Sequence, residues 1–393
     1  MKFSLAVISD LHCHLTSRTS NESYLLSDMP EAPVNSHPIY SLINLIRDRK
    51  LSPDVLLVPG DLANRVDKQG FISAMSYLKE VRRALGNPAM VCTAGNHDID
   101  SHNKYKRGPF EFTKSASKEF PISSEPLNND FWSQGFCFVE LNRCRILVVN
   151  SVLHHDNKEE AKRGMMNDVQ LERLSKAIGS QQKKTFQIAL LHHHPLLHDD
   201  PHLKGEDVMH NGDTFIRLLE SHGYDLIVHG HKHFPKLRYA PGGTEAPAVF
   251  ASGSLSAFGK MLSNTRNLFH VIELDGSTVA DCVHKGRVIS WEFNEGNGWS
   301  TPNTQSARFP SAAGFGYRGS IKNLVDKTYD FMKKSKTKRV SWSNVTRALP
   351  QLNFVLPDDL RSYSMTLQTT HKIFARPAPP DVPEEIGFAV NGI

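Results

Sequence analysis

The chain has no apolar run near the ~20 residues needed to cross a bilayer, so none of its 393 residues suggests a membrane span. Its first apolar stretch, residues 3–8, is shorter than the roughly 7–15 residues of a signal-peptide core. A cytoplasmic location is the expectation. Cysteine is scarce and odd in number: Cys13, Cys92, Cys137, Cys144 and Cys282, with no CxxC pair. That excludes a disulfide framework and a thiolate zinc site, and it fits a reducing compartment. Neither sign of charge dominates, with 46 Lys and Arg against 41 Asp and Glu. The formal charge of +5 suits an anionic substrate without demanding nucleic acid. There is no internal repeat.

What the chain has in quantity is histidine, 20 residues in all. Many of them follow short apolar runs of strand length. Such runs recur at 3–8, 55–58, 89–93, 136–141, 146–149, 186–191, 226–228, 248–251 and 268–274. Helical patterns at 40–49, 70–85, 167–180 and 213–222 separate the earlier ones, which predicts α/β layering. The later runs lack long helices between them, which predicts a second, more antiparallel sheet. Residues 15–38 are polar and read as an ordered loop or lid. Residues 294–319 have linker composition, 320–349 are basic and partly helical, and 375–385 are proline-rich.

Five polar clusters close five of these runs. "SDLHCH" places Asp10, His12 and His14 after the first. "VPGDLAN" places Asp61 and Asn64 after the second. "TAGNHD" places Asn96, His97 and Asp98 after the third. "LLHHHPL" places His192, His193 and His194 after the run at 186–191. "VHGHKH" places His229, His231 and His233 after the run at 226–228. Polar clusters at successive strand ends are the layout of a site at the carboxyl edge of a sheet. Carboxylate, imidazole and amide oxygen suit borderline divalent ions such as Mn, Fe, Zn, Ni or Co. The supply exceeds four ligands, which suits two adjacent ions sharing a carboxylate.

In that order, the blocks D-x-H, G-D-x-x-N, G-N-H-D, H-x-P and G-H-x-H resemble the calcineurin-like metallophosphoesterase family over residues 3 to about 275. The resemblance implies a four-layer α/β/β/α sandwich with a dinuclear centre and, here, a C-terminal extension at 276–393 that binds substrate or a partner. It implies one metal held by Asp10, His12, Asp61 and His233. The other would be held by Asp61, Asn96, His193 and His231, with Asp61 shared and His192 as the alternative to His193. It also implies hydrolysis of a phosphoester by a metal-bridging hydroxide. His97 would be the acid or phosphate donor, oriented by Asp98. His14, Asn64, His192 and His155 are candidate substrate contacts. His37, His102, His202, His210, His222 and His270 read as structural.

"RGMMNDVQLERL" (163–174) is similar to a segment of bacterial cyclic-nucleotide phosphodiesterase relatives, which favours a small diester, a nucleotide or a related compound. Those relatives lack the insertion at 15–38 and the long C-terminal part. The basic residues 333–339 ("KKSKTKR") support a second reading, a nuclease acting on single strands or ends. A third is a non-catalytic scaffold on the same fold, against which the complete ligand set speaks.

Overall fold

A computed structural model of the chain describes residues 2–15, 22–27, 32–157, 160–198, 207–262, 264–335 and 337–389. Parts of the expected lid (16–21 and 28–31), His202 and Lys336 lie outside these residues. The strands in chain order are β1 (Lys2–Val7), β2 (Val55–Val58), β3 (Ala89–Cys92), β4 (Phe136–Glu140), β5 (Cys144–Val149) and β6 (Phe186–Leu190). Then come β7 (Leu226–His229), β8 (Lys236–Tyr239), β9 (Ala248–Ala251) and β10 (Leu268–Asp275). β11 (Cys282–Asn294), β12 (Gly298–Ser300) and β13 (Ala312–Tyr317) follow.

They build two sheets. The first has the order β12-β11-β10-β1-β2-β3, with β13 also on β11; the second has the order β4-β5-β6-β7-β9-β8. β1, β2 and β3 run parallel, as do β5, β6, β7 and β9. The second sheet shows why its strands read as continuous apolar runs. Ile146, Ile188, Val228 and Phe250 face one core shared with the first sheet. Their neighbours Leu147, Ala189, Ile227 and Val249 face the other way, onto the helices Asp168–Gly179 and Gly212–Ser221. Strands buried on both faces carry no polar alternation. The helices Pro38–Arg49 and Lys68–Ala84 pack in the first sheet's core. The result is the expected four-layer α/β/β/α sandwich.

Two expectations need correction. The later strands make no separate sheet: β10 runs antiparallel beside β1, and β11 beside β10. Nor does the sandwich stop at residue 275, because β11, β12 and β13 extend the first sheet to Tyr317. Residues 294–319, expected as a linker, therefore lie largely within it. Their small polar residues reflect edge strands and turns, which composition does not separate from a linker.

Beyond Tyr317 a third core forms. It contains Leu324, Met332, Val345, Tyr363 and Leu367 from the helices Ile321–Lys334, Trp342–Ala348 and Pro357–His371, together with Ile386. The short strands β14 (Arg339–Ser341), β15 (Ile373–Arg376) and β16 (Glu385–Phe388) make a small sheet in the order β14-β16-β15. The Arg318 guanidinium over the Tyr239 ring and the Lys236–Asp358 ion pair (3.0 Å) join this unit to β8.

His270 is structural, as expected. Its Nε2 lies 2.7 Å from the Ser252 carbonyl and its Nδ1 2.7 Å from Ser290 Oγ. A carbonyl only accepts, so Nε2 donates and the hydroxyl donates to Nδ1; the ring is neutral. Burial holds its pKa at about 4. The unfolded ring protonates near pH 6.5, so its contribution is complete above that pH and drains away as pH falls towards 4. The total is ~3 kcal/mol by linkage. His270→Phe is expected to flatten the pH dependence of urea unfolding in that window by about one proton. An unchanged slope would contradict a neutral buried ring.

Candidate metal centre

The loops following β1, β2, β3, β6 and β7 converge at the carboxyl edges of the two sheets. The backbone there is unusual. Asp10, His12, Asp61, His231 and His233 all have φ between 47° and 81°, a region that residues with a Cβ rarely adopt. Gly95 and Gly230 allow the close approach. A Cβ on Gly95 would overlap Asp61 Oδ1, and one on Gly230 would overlap Asp10 Oδ2 and Ser9 Oγ. Gly95→Ala is therefore expected to displace the Asp61 carboxylate and cost at least ~10²-fold in activity, with a loss of bound metal. Wild-type turnover in this variant would show that the carboxylate need not sit where it does.

Two groups of side chains meet at Asp61. In the first, His12 Nε2 lies 2.8 Å from His233 Nε2 and 3.7 Å from Asp61 Oδ2, and His233 Nε2 lies 3.4 Å from Asp10 Oδ1. In the second, His192 Nε2 lies 3.3 Å from Asp61 Oδ2 and 3.0 Å from Asn96 Oδ1, with His231 Nδ1 3.0 Å from the same Asn96 oxygen. Asp61 Oδ1 accepts the His97 N–H at 2.8 Å, which turns Oδ2 towards both groups.

Carbonyls fix two of the rings. His233 Nδ1 faces Met261 O at 2.6 Å, and His192 Nδ1 faces Pro59 O at 2.7 Å. Each Nδ1 donates, so each Nε2 points into the cluster. Asp10 is held by Ser9 Oγ (2.5 Å) and by the His231 N–H (3.0 Å).

The electrostatics match this arrangement. Burial, then the His97 ring, pushes His12 well below its ordinary pKa, and burial, then His192, does the same to His231. Both rings are neutral and offer lone pairs. Burial opposes ionisation of Asp61, but His192, His97 and His12 hold its carboxyl well below the usual range. Burial also opposes charge on His192, yet Asp61 and Asp10 lift it to about 9. Burial works against His233 too, and Asp10 raises it. The anionic oxygens and the neutral His12 and His231 rings thus offer lone pairs to a cation, whose binding would displace the protons that Asp61 and Asp10 favour on His192 and His233. Among the described residues, neither His231 Nε2 nor His193 Nε2 has a hydrogen-bond partner although both atoms are buried. The donor set fits divalent ions, and Asp10–His12–His233, His12–Asp61–His97, Asp10–Asp61–His192 and His192–His193–His231 are each close enough to hold one.

Several assignments change. His192, and not His193, faces Asp61 and Asn96. His193 stands beside it, with Nδ1 2.9 Å from Ser151 Oγ, its ring centroid 4.5 Å from that of His231, and a ring nitrogen that remains close enough to His192 and His231 to share an ion with them. His155 packs against His193 at 5.2 Å and bonds the Arg163 carbonyl at 2.8 Å, so it is buried support and not a substrate contact. Asp98 does not orient the His97 ring. Its two oxygens accept the N–H groups of Ala63 (3.0 Å) and Gly95 (2.9 Å), tying two loops together. Burial, reinforced by Asp61, raises its pKa to about 7. Among the described residues, His14 Nδ1 contacts only its own turn, at His12 O (3.2 Å). Asn64 Oδ1 does reach His97 Nδ1, at 3.2 Å.

Sequence reasoning missed Glu22, which bonds Asn64 Nδ2 at 2.5 Å and Arg65 Nη2 at 2.6 Å. A single acidic residue in a polar insertion gives no signal. A cavity of about 620 Å³ opens beside Asn96 and His97, with Val66 and Ile99 in its wall and Arg65 and Lys104 on its lining.

A sequence profile described as calcineurin-like phosphoesterase matches residues 3–235. A comparison with curated proteins finds no match. Among solved structures, the chain is similar to a purple acid phosphatase from yellow lupin (Lupinus luteus), at 12% identity and TM-score 0.48. That match covers 75% of this chain and 52% of the phosphatase, so it spans about half the relative's length. It is similar to a 5'-nucleotidase precursor from Thermus thermophilus at 14% identity and TM-score 0.40, covering 75% and 55% of the two chains. It is also similar to Vacuolar Protein Sorting 29 from Cryptosporidium parvum at 12% identity and TM-score 0.36, covering 80% and 98%. No helix among the described residues is long and apolar enough to cross a membrane.

Proposed function

The chain belongs to the calcineurin-like phosphoesterase family, and from that premise we propose that it hydrolyses a small anionic phosphodiester, a nucleotide or a related compound, with the help of two divalent ions. Asp10, His12, Asp61 and His233 would hold one ion. Asp61, Asn96, His192 and His231 would hold the other. The observation that carries the reading is the Asp61 carboxylate: Oδ2 stands 3.7 Å from His12 Nε2 and 3.3 Å from His192 Nε2. One oxygen facing two imidazole groups is the arrangement of a shared ligand. When bound, such ions neutralise the charge of the ester and acidify water.

The protein's own groups supply the rest. His97, whose ring lies 4.7 Å from His12, lines the cavity and is placed to donate a proton to the departing oxygen. Burial, partly offset by Asp61, lowers its pKa. The cavity beside it has room for the second ester group that a monoester lacks. Its apolar wall suits an organic group, and Lys104 suits an anion, whereas Arg65 is already paired with Glu22 at 2.6 Å.

The nuclease reading gains less support. Lys333 pairs with Asp330 at 2.9 Å and Arg339 with Glu385 at 3.7 Å, so the basic segment offers less free charge than its sequence promises. The test is a screen of Mn-loaded protein against monoesters, linear and cyclic nucleotides, glycerophosphodiesters and short DNA. The fastest kcat/KM is expected on a small diester. Preferred cleavage of DNA, lost when 333–339 is deleted, would favour the nuclease. Preference for a monoester would overturn the diester assignment.

A further inference from the structure

The hydrogen bonds within reach of His97 cannot all form at once. Its Nδ1 lies 3.2 Å from Asn64 Oδ1 and also 3.2 Å from the Arg65 backbone N–H. A ring nitrogen donates to the first or accepts from the second. The far end of Asn64 decides between them. Asn64 Nδ2 lies 2.5 Å from Glu22 Oε2, and an ionised carboxylate can only accept. The amide NH₂ must therefore face Glu22, and the amide oxygen must face His97. Against an oxygen, Nδ1 must carry the proton.

The carboxylate is itself fixed, because Glu22 Oε1 receives Arg65 Nη2 at 2.6 Å. The backbone around Glu22 is anchored independently of its side chain. Ser23 Oγ donates to Leu11 O at 2.7 Å, and the Tyr24 N–H donates to Ser256 O at 2.9 Å. Glu22 thus reaches the site from the segment between the first two motif blocks, a segment that belongs to none of them.

We propose that Glu22 is a positioning residue for His97: acting through Asn64, it holds one proton on Nδ1 and turns Nε2 to the leaving group, so that the proton given up is a second one, taken by Nε2 from water, and the ring returns to the neutral Nδ1–H form. The inference rests on His97 as the proton donor. It also explains why an amide suits position 64. An aspartate there would set two carboxylates 2.5 Å apart, whereas asparagine donates to one neighbour and accepts from the other.

The test uses three full-length variants, Glu22→Ala, Asn64→Asp and the double variant, with two readouts. The first is the ¹⁵N NMR of the His97 ring in metal-free protein, which reports the tautomer without any turnover. The wild-type ring is expected to carry its proton on Nδ1. Glu22→Ala frees the amide to flip, so a mixture with the Nε2–H form is expected. The second is kinetics on an aryl phosphodiester, where Glu22→Ala is expected to lower kcat ~10-fold with little change in KM, a fraction of what a general acid contributes. Asn64→Asp alone is expected to be worse, through the facing carboxylates. The double variant is expected to recover both the Nδ1–H tautomer and most of kcat, because an aspartate needs no partner to present an oxygen to Nδ1.

An Nδ1–H ring in Glu22→Ala, with no recovery in the double variant relative to Asn64→Asp, overturns the inference. If the wild-type protein turns over no diester, the functional reading falls instead, and the NMR arm still decides what Glu22 does to His97.

Discussion

Replacing Asp61 by asparagine is expected to lower metal-dependent hydrolysis of a chromogenic aryl phosphodiester by ~10³-fold or more, about 4 kcal/mol of transition-state stabilisation. The substitution keeps the shape and removes the charge. Asp61 Oδ1 is committed to the His97 N–H at 2.8 Å, so Oδ2 alone serves both imidazole groups. An amide presents one oxygen and one NH₂. With the oxygen kept on the His97 N–H, the NH₂ would point at both metal positions, where it binds neither. With the amide flipped, the NH₂ would face the His97 N–H, and the loop after β3 would shift. Metal analysis should show loss of at least one ion per chain together with the loss of rate. Undiminished turnover in Asp61→Asn would rule out a shared carboxylate and, with it, the two-ion reading.

A comparison of His192→Ala with His193→Ala has the second-largest expected effect, because these neighbours have the same chemistry and different places. His192→Ala is expected to reduce bound metal from about two ions to about one and to cost ~10²-fold or more in kcat. His192 Nε2 faces Asp61 and Asn96, with Nδ1 anchored on Pro59 O. His193→Ala removes a ring held by Ser151 that packs against His231, so a loss of ~10-fold or less with both ions retained is expected. If the two variants exchange these phenotypes, His193 is the ligand and the contacts of His192 belong only to the metal-free cluster.

In the basic tail, Lys333 meets Asp330 one turn away on its own helix, a pairing the sequence spacing already allows, whereas Arg339 meets Glu385, an acid that only the folded chain brings to it.

The strands and the five clusters at their ends were legible in the residues alone. A strand buried on both faces must be apolar along its length, and a group of ligands must interrupt that apolarity at once where the strand ends. Asp10, His12, Asp61, Asn96, His231 and His233 stand in those clusters, and it is the family resemblance, not the pattern, that singles them out as metal ligands. Local pattern could not say which of three consecutive histidines turns inward. His192 does so because Pro59 O, 133 residues away in sequence, accepts from its ring. The same limit applies to Asp98, whose oxygens are taken by backbone from two loops, and to Glu22, which only the closed chain sets against Asn64. Periodicity is a property of neighbours in sequence, so it reveals elements and their ends. The direction of a side chain at a junction of five loops is set by partners distant in the chain, and only the folded arrangement supplies them.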